Sequence, residues 1–175
     1  LRLQLSEQGF SHTEAIQFEH TNAYRSQHNG LNHIYYRQML NGLPIVNALA
    51  NTNISDGGQN FGQHVQFFSG LEQQLAQTEA KLSANEAISA SARLLAIPLV
   101  QSPVLIQEDT KPSDYLYTGG TLSQDQIPVR AAYYVDEKAD SGNHRLIRIW
   151  ELVVRPFNSS DWWHLWVNAE NGELC

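Results

Sequence analysis

The stretch LNHIYYRQMLNGLPIVNALANTNI, residues 31–54, decides the fold. In LNHIYYRQML, Ile34, Tyr36 and Leu40 fall on one side of a strand, and Leu31, Tyr35 and Met39 on the other. Bulk on both faces predicts a largely covered strand. Asn41-Gly42 follows at once, a pair that takes positive φ at both positions and so matches the twist of a two-residue hairpin. LPIVNALANTNI then returns antiparallel. Asp56-Gly57-Gly58 supplies the next turn, and NFGQHVQFF closes the meander through Phe61, Val65, Phe67 and Phe68.

Upstream, residues 1 to 9 are expected as a short helix ending at Gly9, with a strand from Ile16 to Tyr24. Downstream, Leu71, Leu75 and Leu82 space a weakly amphipathic helix or a linker. Ser83-Ala-Asn-Glu86 has the form of a capping box, predicting a helix that runs to about Ala96 and is stopped by Pro98. Ala84, Ile88, Ser91 or Ala92, and Leu95 share its apolar face. Four more strands are expected: LYTG around Tyr117, IPVRAAYYV from Ile127, RLIRIWELVV from Arg145 and WWHLWVNA from Trp162. Turns separate them at Asp140-Ser-Gly142, Asn158-Ser159-Ser160 and Asn171-Gly172. The layout of the first half is repeated in the second. The expected fold is α+β, two tandem helix-on-antiparallel-sheet modules: 1–70, a linker or short helix over 71–82, and 83–175.

Composition narrows the function classes. With 11 Lys and Arg against 18 Asp and Glu, the net charge of -7 excludes a basic footprint for nucleic acid. The longest apolar run, Leu94 to Val100, is broken by Pro98 and falls far short of the roughly 20 residues that span a bilayer. LRLQLSEQGF lacks the charged-then-apolar layout of a signal peptide, so the chain reads as an excerpt of a longer precursor. Cys175 is the single cysteine and makes no internal disulfide. Asn53-Ile-Ser and Asn158-Ser-Ser are glycosylation sequons suited to a secretory setting.

Catalytic motifs are missing. His12, His20, His28, His33, His64, His144 and His164 fall in no H-E-x-x-H or comparable zinc pattern. Neither a nucleophile elbow nor a P-loop nor a dinucleotide fingerprint occurs, and Gly57-Gly58 and Gly119-Gly120 read as turns. Asp136-Glu137 and Glu108-Asp109 read as solvated loop charge. Among the tryptophans Trp150, Trp162, Trp163 and Trp166, the adjacent pair 162 and 163 must face opposite ways on a strand, which predicts one of them in the core. The alternative is a stacking platform for a ligand such as a sugar.

Two stretches together resemble the propeptide of fungalysins, secreted zinc metallopeptidases. In residues 29–68, Tyr36-Arg37-Gln38 leads through Asn41-Gly42 to a strand ending near an acidic-Gly turn, as in the fungalysin/thermolysin propeptide (FTP) module. In residues 128–175, Trp150-Glu151-Leu152-Val153-Val154, Asp161-Trp162-Trp163 and Val167-Asn168-Ala169-Glu170-Asn171-Gly172-Glu173 follow the order of the module called PepSY, with Val-Asn-Ala where Val-Asp-Ala is usual. The resemblance implies a secreted, non-catalytic prodomain whose partner is the catalytic domain of a zinc metallopeptidase carrying H-E-x-x-H, which it inhibits and helps to fold. The chain itself is expected to need no cofactor, the zinc being the partner's. Ala169 to Cys175 is then expected as a tail left to enter the partner's cleft, with Asn171, Gly172, Glu173, Leu174 and Cys175 as inhibitory residues. Cys175 would meet the zinc through its α-carboxylate, if cleavage follows it, or through its thiolate. A stand-alone extracellular binding module and an enzyme with an unrecognised site are the competing classes.

Overall fold

The computed structural model describes residues 17–108, 114–138, 144–157 and 159–175. The helix expected over residues 1 to 9 and the turn at Asp140-Ser-Gly142 lie outside them. The architecture is α+β, and the chain divides into two compact units, Leu1–Gln74 with Val135–Arg145 and Leu75–Tyr134 with Leu146–Cys175.

In the first unit, β1 (Gln17–Arg25), β2 (Asn32–Leu40), β3 (Leu43–Ile54) and β4 (Asn60–Val65) form an antiparallel meander in chain order. The hairpin between β2 and β3 is the one the sequence demands: Asn41 and Gly42 take φ of 48° and 78°, and Leu40 pairs with Leu43. Its interior is built from β3, where Ile45 and Ala48 are fully buried.

A bulge between Arg37 and Met39 takes Gln38 out of the regular pairing and turns its side chain inward. There the buried carboxamide acts as a substitute strand: Nε2 donates to the Phe68 carbonyl at 2.7 Å, and the Phe68 N–H donates to Oε1 at 2.8 Å. Asn47 repeats the device with Val135, its Nδ2 donating to the carbonyl at 2.8 Å while its Oδ1 accepts the N–H at 3.0 Å. Each amide satisfies two main-chain groups that burial would otherwise leave unpaired.

The remaining strands follow the order β5 (Leu105–Glu108), β6 (Asp114–Tyr117), β7 (Ile127–Asp136), β8 (Arg145–Val154) and β9 (Trp163–Asn168), and all but the end of β7 and the start of β8 belong to the second unit. Strand β5 was not anticipated, because four residues bounded by prolines and polar loops carry almost no periodic signal. The expected helix between Leu71 and Leu82 is a 3-10 helix over Leu71–Gln77, anchored by buried Leu71.

Helix α1 (Ala84–Leu94) starts from the full capping box: Ser83 Oγ accepts the Glu86 N–H, and the Glu86 carboxylate accepts the Ser83 N–H at 2.8 Å. The Ser83 N–H first, and then the Ser83 hydroxyl, which donates to the same carboxylate oxygen at 2.7 Å, hold the Glu86 carboxyl below the usual carboxylate range. The helix ends two residues earlier than Pro98 suggests. Ala96 adopts φ 54°, its N–H donates to the Arg93 carbonyl, and the Ile97 N–H donates to the Ala92 carbonyl at 2.9 Å, a Schellman stop. The buried face is mostly alanine (Ala84, Ala87, Ala90, Ala92) around Ile88, so the helix can approach β9 closely.

Candidate functional site: the C-terminal turn and the open sheet face

Ala169 to Cys175, expected as a loose tail, is instead folded back along β9. Asn168 Oδ1 accepts the Glu170 N–H and Asn171 Oδ1 accepts the Glu173 N–H, shaping the turn from within. The Gly172 N–H donates to the Asn168 carbonyl at 2.9 Å and the Asn168 N–H to the Glu173 carbonyl at 2.8 Å. Val167 then bridges Leu174, and the Cys175 N–H donates to the Trp166 carbonyl at 3.0 Å. Gly172, at φ 78°, is buried where a Cβ would come within 3.3 Å of Ala90 and Leu82. The turn is tied from the other side by the Lys81 and Leu82 N–H groups, both donating to the Ala169 carbonyl, and by a Lys81–Glu170 ion pair at 2.7 Å. Leu174 and Cys175 are exposed at its end.

Trp150 is core, 7% exposed, with its indole N–H donating to the Leu82 carbonyl at 2.8 Å. The expectation that one of Trp162 and Trp163 is core is corrected: both are exposed, Trp162 lying under the Arg155 guanidinium at 5.2 Å. Trp162 precedes β9 and Trp163 opens it, so neither sits where strand alternation drives a side chain into packing.

On one face of β6 to β9, strand alternation gathers a charged group that sequence spacing did not reveal. Asp114 stands opposite Arg130 in the β6–β7 register, and Val153 stands opposite His164 in the β8–β9 register. Glu151, its side chain only 10% exposed, receives Arg130 on Oε2, from Nε at 2.9 Å and also from Nη2, and meets His164 Nε2 at 2.7 Å through Oε1. Burial pushes the Glu151 carboxyl up, but the Arg130 charge and hydrogen bond, with the His164 contact, outweigh it and hold the group below the usual carboxylate range. A cavity of about 510 Å³ opens above it, walled by Leu116, Pro128 and Val153. The signal in the sequence was faint: a single Glu inside the apolar run WELVV, a residue type rarely buried without a partner.

Of the sequon residues, Asn53 is half-buried in β3, its Oδ1 paired with His33 Nδ1 at 2.7 Å, and Asn158 lies outside the described residues. Among the described residues no group of three or more His, Cys, Asp and Glu could hold a metal ion. No helix among them is long and apolar enough to cross a membrane.

Residues 16–62 match the Fungalysin/Thermolysin Propeptide Motif. The chain is 27% identical over 149 residues to the Extracellular metalloproteinase mep of two Aspergillus fumigatus strains, covering 83% of this chain and 22% of that protein. It is 25% identical over 108 residues to the Extracellular metalloproteinase 10 of Coccidioides posadasii, covering 62% of this chain and 17% of that protein. The chain thus spans about a fifth of the length of these relatives. It carries the FTP propeptide motif and is distantly similar to fungal extracellular metalloproteinases.

Proposed function

We propose that this chain is the non-catalytic prodomain of a secreted fungalysin-type zinc metallopeptidase, which it holds inactive and helps to fold by docking on the catalytic domain. The observation that carries the reading is the extent of the similarity. The propeptide motif covers residues 16–62, but the likeness to the Aspergillus fumigatus metalloproteinase extends over 83% of the chain. In this reading residues 1–70 form the FTP module, 71–82 the connection and 83–175 a PepSY-like module, the two being helix-on-sheet units of cystatin-like build. The capped α1 lying against β9 is the feature that favours such a build in the second.

Inhibition falls to Asn171, Gly172, Glu173, Leu174 and Cys175. Their hydrogen bonds to β9 hold Leu174 and Cys175 outward in a fixed geometry, which lowers the entropy lost when they enter a cleft. Leu174 takes an upstream substrate subsite. Cys175 approaches the partner's zinc through its thiolate, or through its α-carboxylate when the chain is cut after it. In one polypeptide the tether supplies an effective concentration of about millimolar, so modest intrinsic affinity suffices for silence. Binding only the folded catalytic domain also stabilises that domain by mass action. Asn53 and Asn158 are the sites at which the secretory pathway would attach glycans.

The test is to read the encoding transcript through position 175 and assay the product. An in-frame domain with H-E-x-x-H is expected, and its purified mature form should be inhibited saturably by the chain added in trans. A reading frame with no such domain overturns the proposal.

A further inference from the structure

Sequence motif and strand register meet at Asn53, the acceptor of the sequon Asn53-Ile-Ser. Ala50 and Thr52, at 2% and 6% exposure, fix the core face of β3, so Asn51 and Asn53 alternate to the outer face. There the register sets Asn53 between His33 of β2 and Gly62 of β4. The two neighbours divide its carboxamide. His33 Nδ1 stands 2.7 Å from Oδ1, and because a carbonyl oxygen only accepts, Nδ1 carries the hydrogen in whichever charge state the ring has. The His33 ring is stacked on Tyr24 at 4.9 Å, and Tyr24 on Tyr35 at 6.0 Å, which braces it.

Nδ2 faces a gap on the other side. A Cβ built on Gly62 would meet Asn53 Nδ2 at 3.7 Å and, beyond its chain neighbours, no other heavy atom within 4 Å. Asn60 sets this glycine in place, its Oδ1 accepting the Gly62 N–H at 2.9 Å, and the φ of 148° is one that residues with a side chain rarely adopt. The gap is therefore built into the β3–β4 ladder. His64, two residues on, is exposed on the same side. The amide oxygen is thus committed while the amide nitrogen has room. An N-linked sugar requires that division, since attachment replaces one Nδ2 hydrogen and leaves Oδ1 an acceptor. An asparagine serving only to pair with His33 does not call for clear space at Nδ2.

Resting on the secreted-prodomain reading above and deepening it, we propose that Asn53 carries an N-linked glycan whose first N-acetylglucosamine is seated over Gly62, so that carbohydrate rather than the peptidase portion covers this outer face. In the transfer the carboxamide nitrogen attacks C1 of a lipid-diphosphate-linked oligosaccharide while the chain is still extended. The Nδ2–C1 bond forms as the bond from C1 to the diphosphate oxygen breaks. One Nδ2 hydrogen leaves as a proton and the lipid diphosphate departs. Ser55 supplies the hydroxyl of the acceptor triplet before folding commits its Oγ to the Gln59 N–H at 3.2 Å.

The experiment secretes the chain from a yeast behind a host leader, trims it with endoglycosidase H to a single N-acetylglucosamine, and compares it with the same chain made in bacteria. Mass spectrometry should find the sugar on Asn53 in most molecules. NMR should show nuclear Overhauser contacts from its protons to the Gly62 α-protons and the His64 ring. The Gly62 amide should exchange at least about threefold more slowly beneath the sugar. A bare Asn53 in the secreted chain overturns the proposal, and so does a sugar whose protons contact neither Gly62 nor His64.

In a second arm both forms are assayed against the in-frame peptidase. Inhibition constants within about twofold of each other support a face left to carbohydrate. Inhibition lost only in the sugar-bearing form overturns that assignment while the prodomain reading stands. If neither form inhibits, the prodomain reading fails, whereas the seat is still judged by the contacts of the sugar at Gly62.

Discussion

Trp150 and Glu151 are sequence neighbours on β8 and so face opposite sides of the sheet, one packed and one ionic. Trp150 meets Tyr115 edge-on at 5.9 Å and anchors the Leu82 carbonyl just before α1. Trp150→Ala should therefore destabilise the protein by about 3 to 5 kcal/mol in urea unfolding, from lost packing plus a stranded carbonyl. A loss near zero would mean that the indole is not the packing element described. For Glu151 the measurable quantity is pH dependence. Its folded carboxyl is held below the ordinary value of 4.5, so its contribution is present above that value and lost as pH falls through the folded pKa. The stability gap between wild type and Glu151→Gln should accordingly narrow as pH is lowered from about 5 to 3. A gap independent of pH would remove the charge network as its source. The Trp pair at 162 and 163 could not be placed from sequence, because alternation assigns sides only within a strand and these residues sit at its start.

At the scale of elements, turn and cap chemistry was the legible part. Asn41-Gly42 and the Ser83/Glu86 box act through residues two or three apart, so local sequence is sufficient to specify them. Strand β5 and the stop of α1 were not legible. The stop uses an alanine in a left-handed conformation, which no propensity argument would select. That position is a place to gain stability. Ala96→Gly removes a left-handed penalty of roughly 1–2 kcal/mol and adds roughly 0.4–1 kcal/mol of unfolded-chain entropy, for a net gain of about 0.5–1 kcal/mol. Thermal unfolding would show the rise, and a fall would indicate that the Ala96 methyl makes contacts that outweigh the backbone strain. Gly119 is the opposite case, since a Cβ there would lie 2.0 Å from the Ser123 carbonyl oxygen.

For the whole molecule the decisive prediction separates holding the fold from blocking a partner. Deleting Leu174 and Cys175 removes two exposed residues and the backbone bond from Cys175 to Trp166, so stability should fall by about 1 kcal/mol or less. Inhibition of the cognate peptidase should weaken by more than about tenfold, because the lost atoms are those proposed to occupy the cleft. Unchanged inhibition constants would take the C-terminal residues out of the mechanism. By itself the sequence determined the β2–β3 hairpin, the start of α1, most of the strands and the propeptide resemblance, all carried by spacings of a few residues. Only the tertiary structure decided that the Gln38 and Asn47 amides pair the main-chain groups of Phe68 and Val135, that the C-terminal residues fold back on β9, and that Asp114, Arg130, Glu151 and His164 share one face. For the first and the third the physical reason is the same. Side chains far apart in the chain meet only through strand register, and register is set by pairing across the sheet rather than by local pattern.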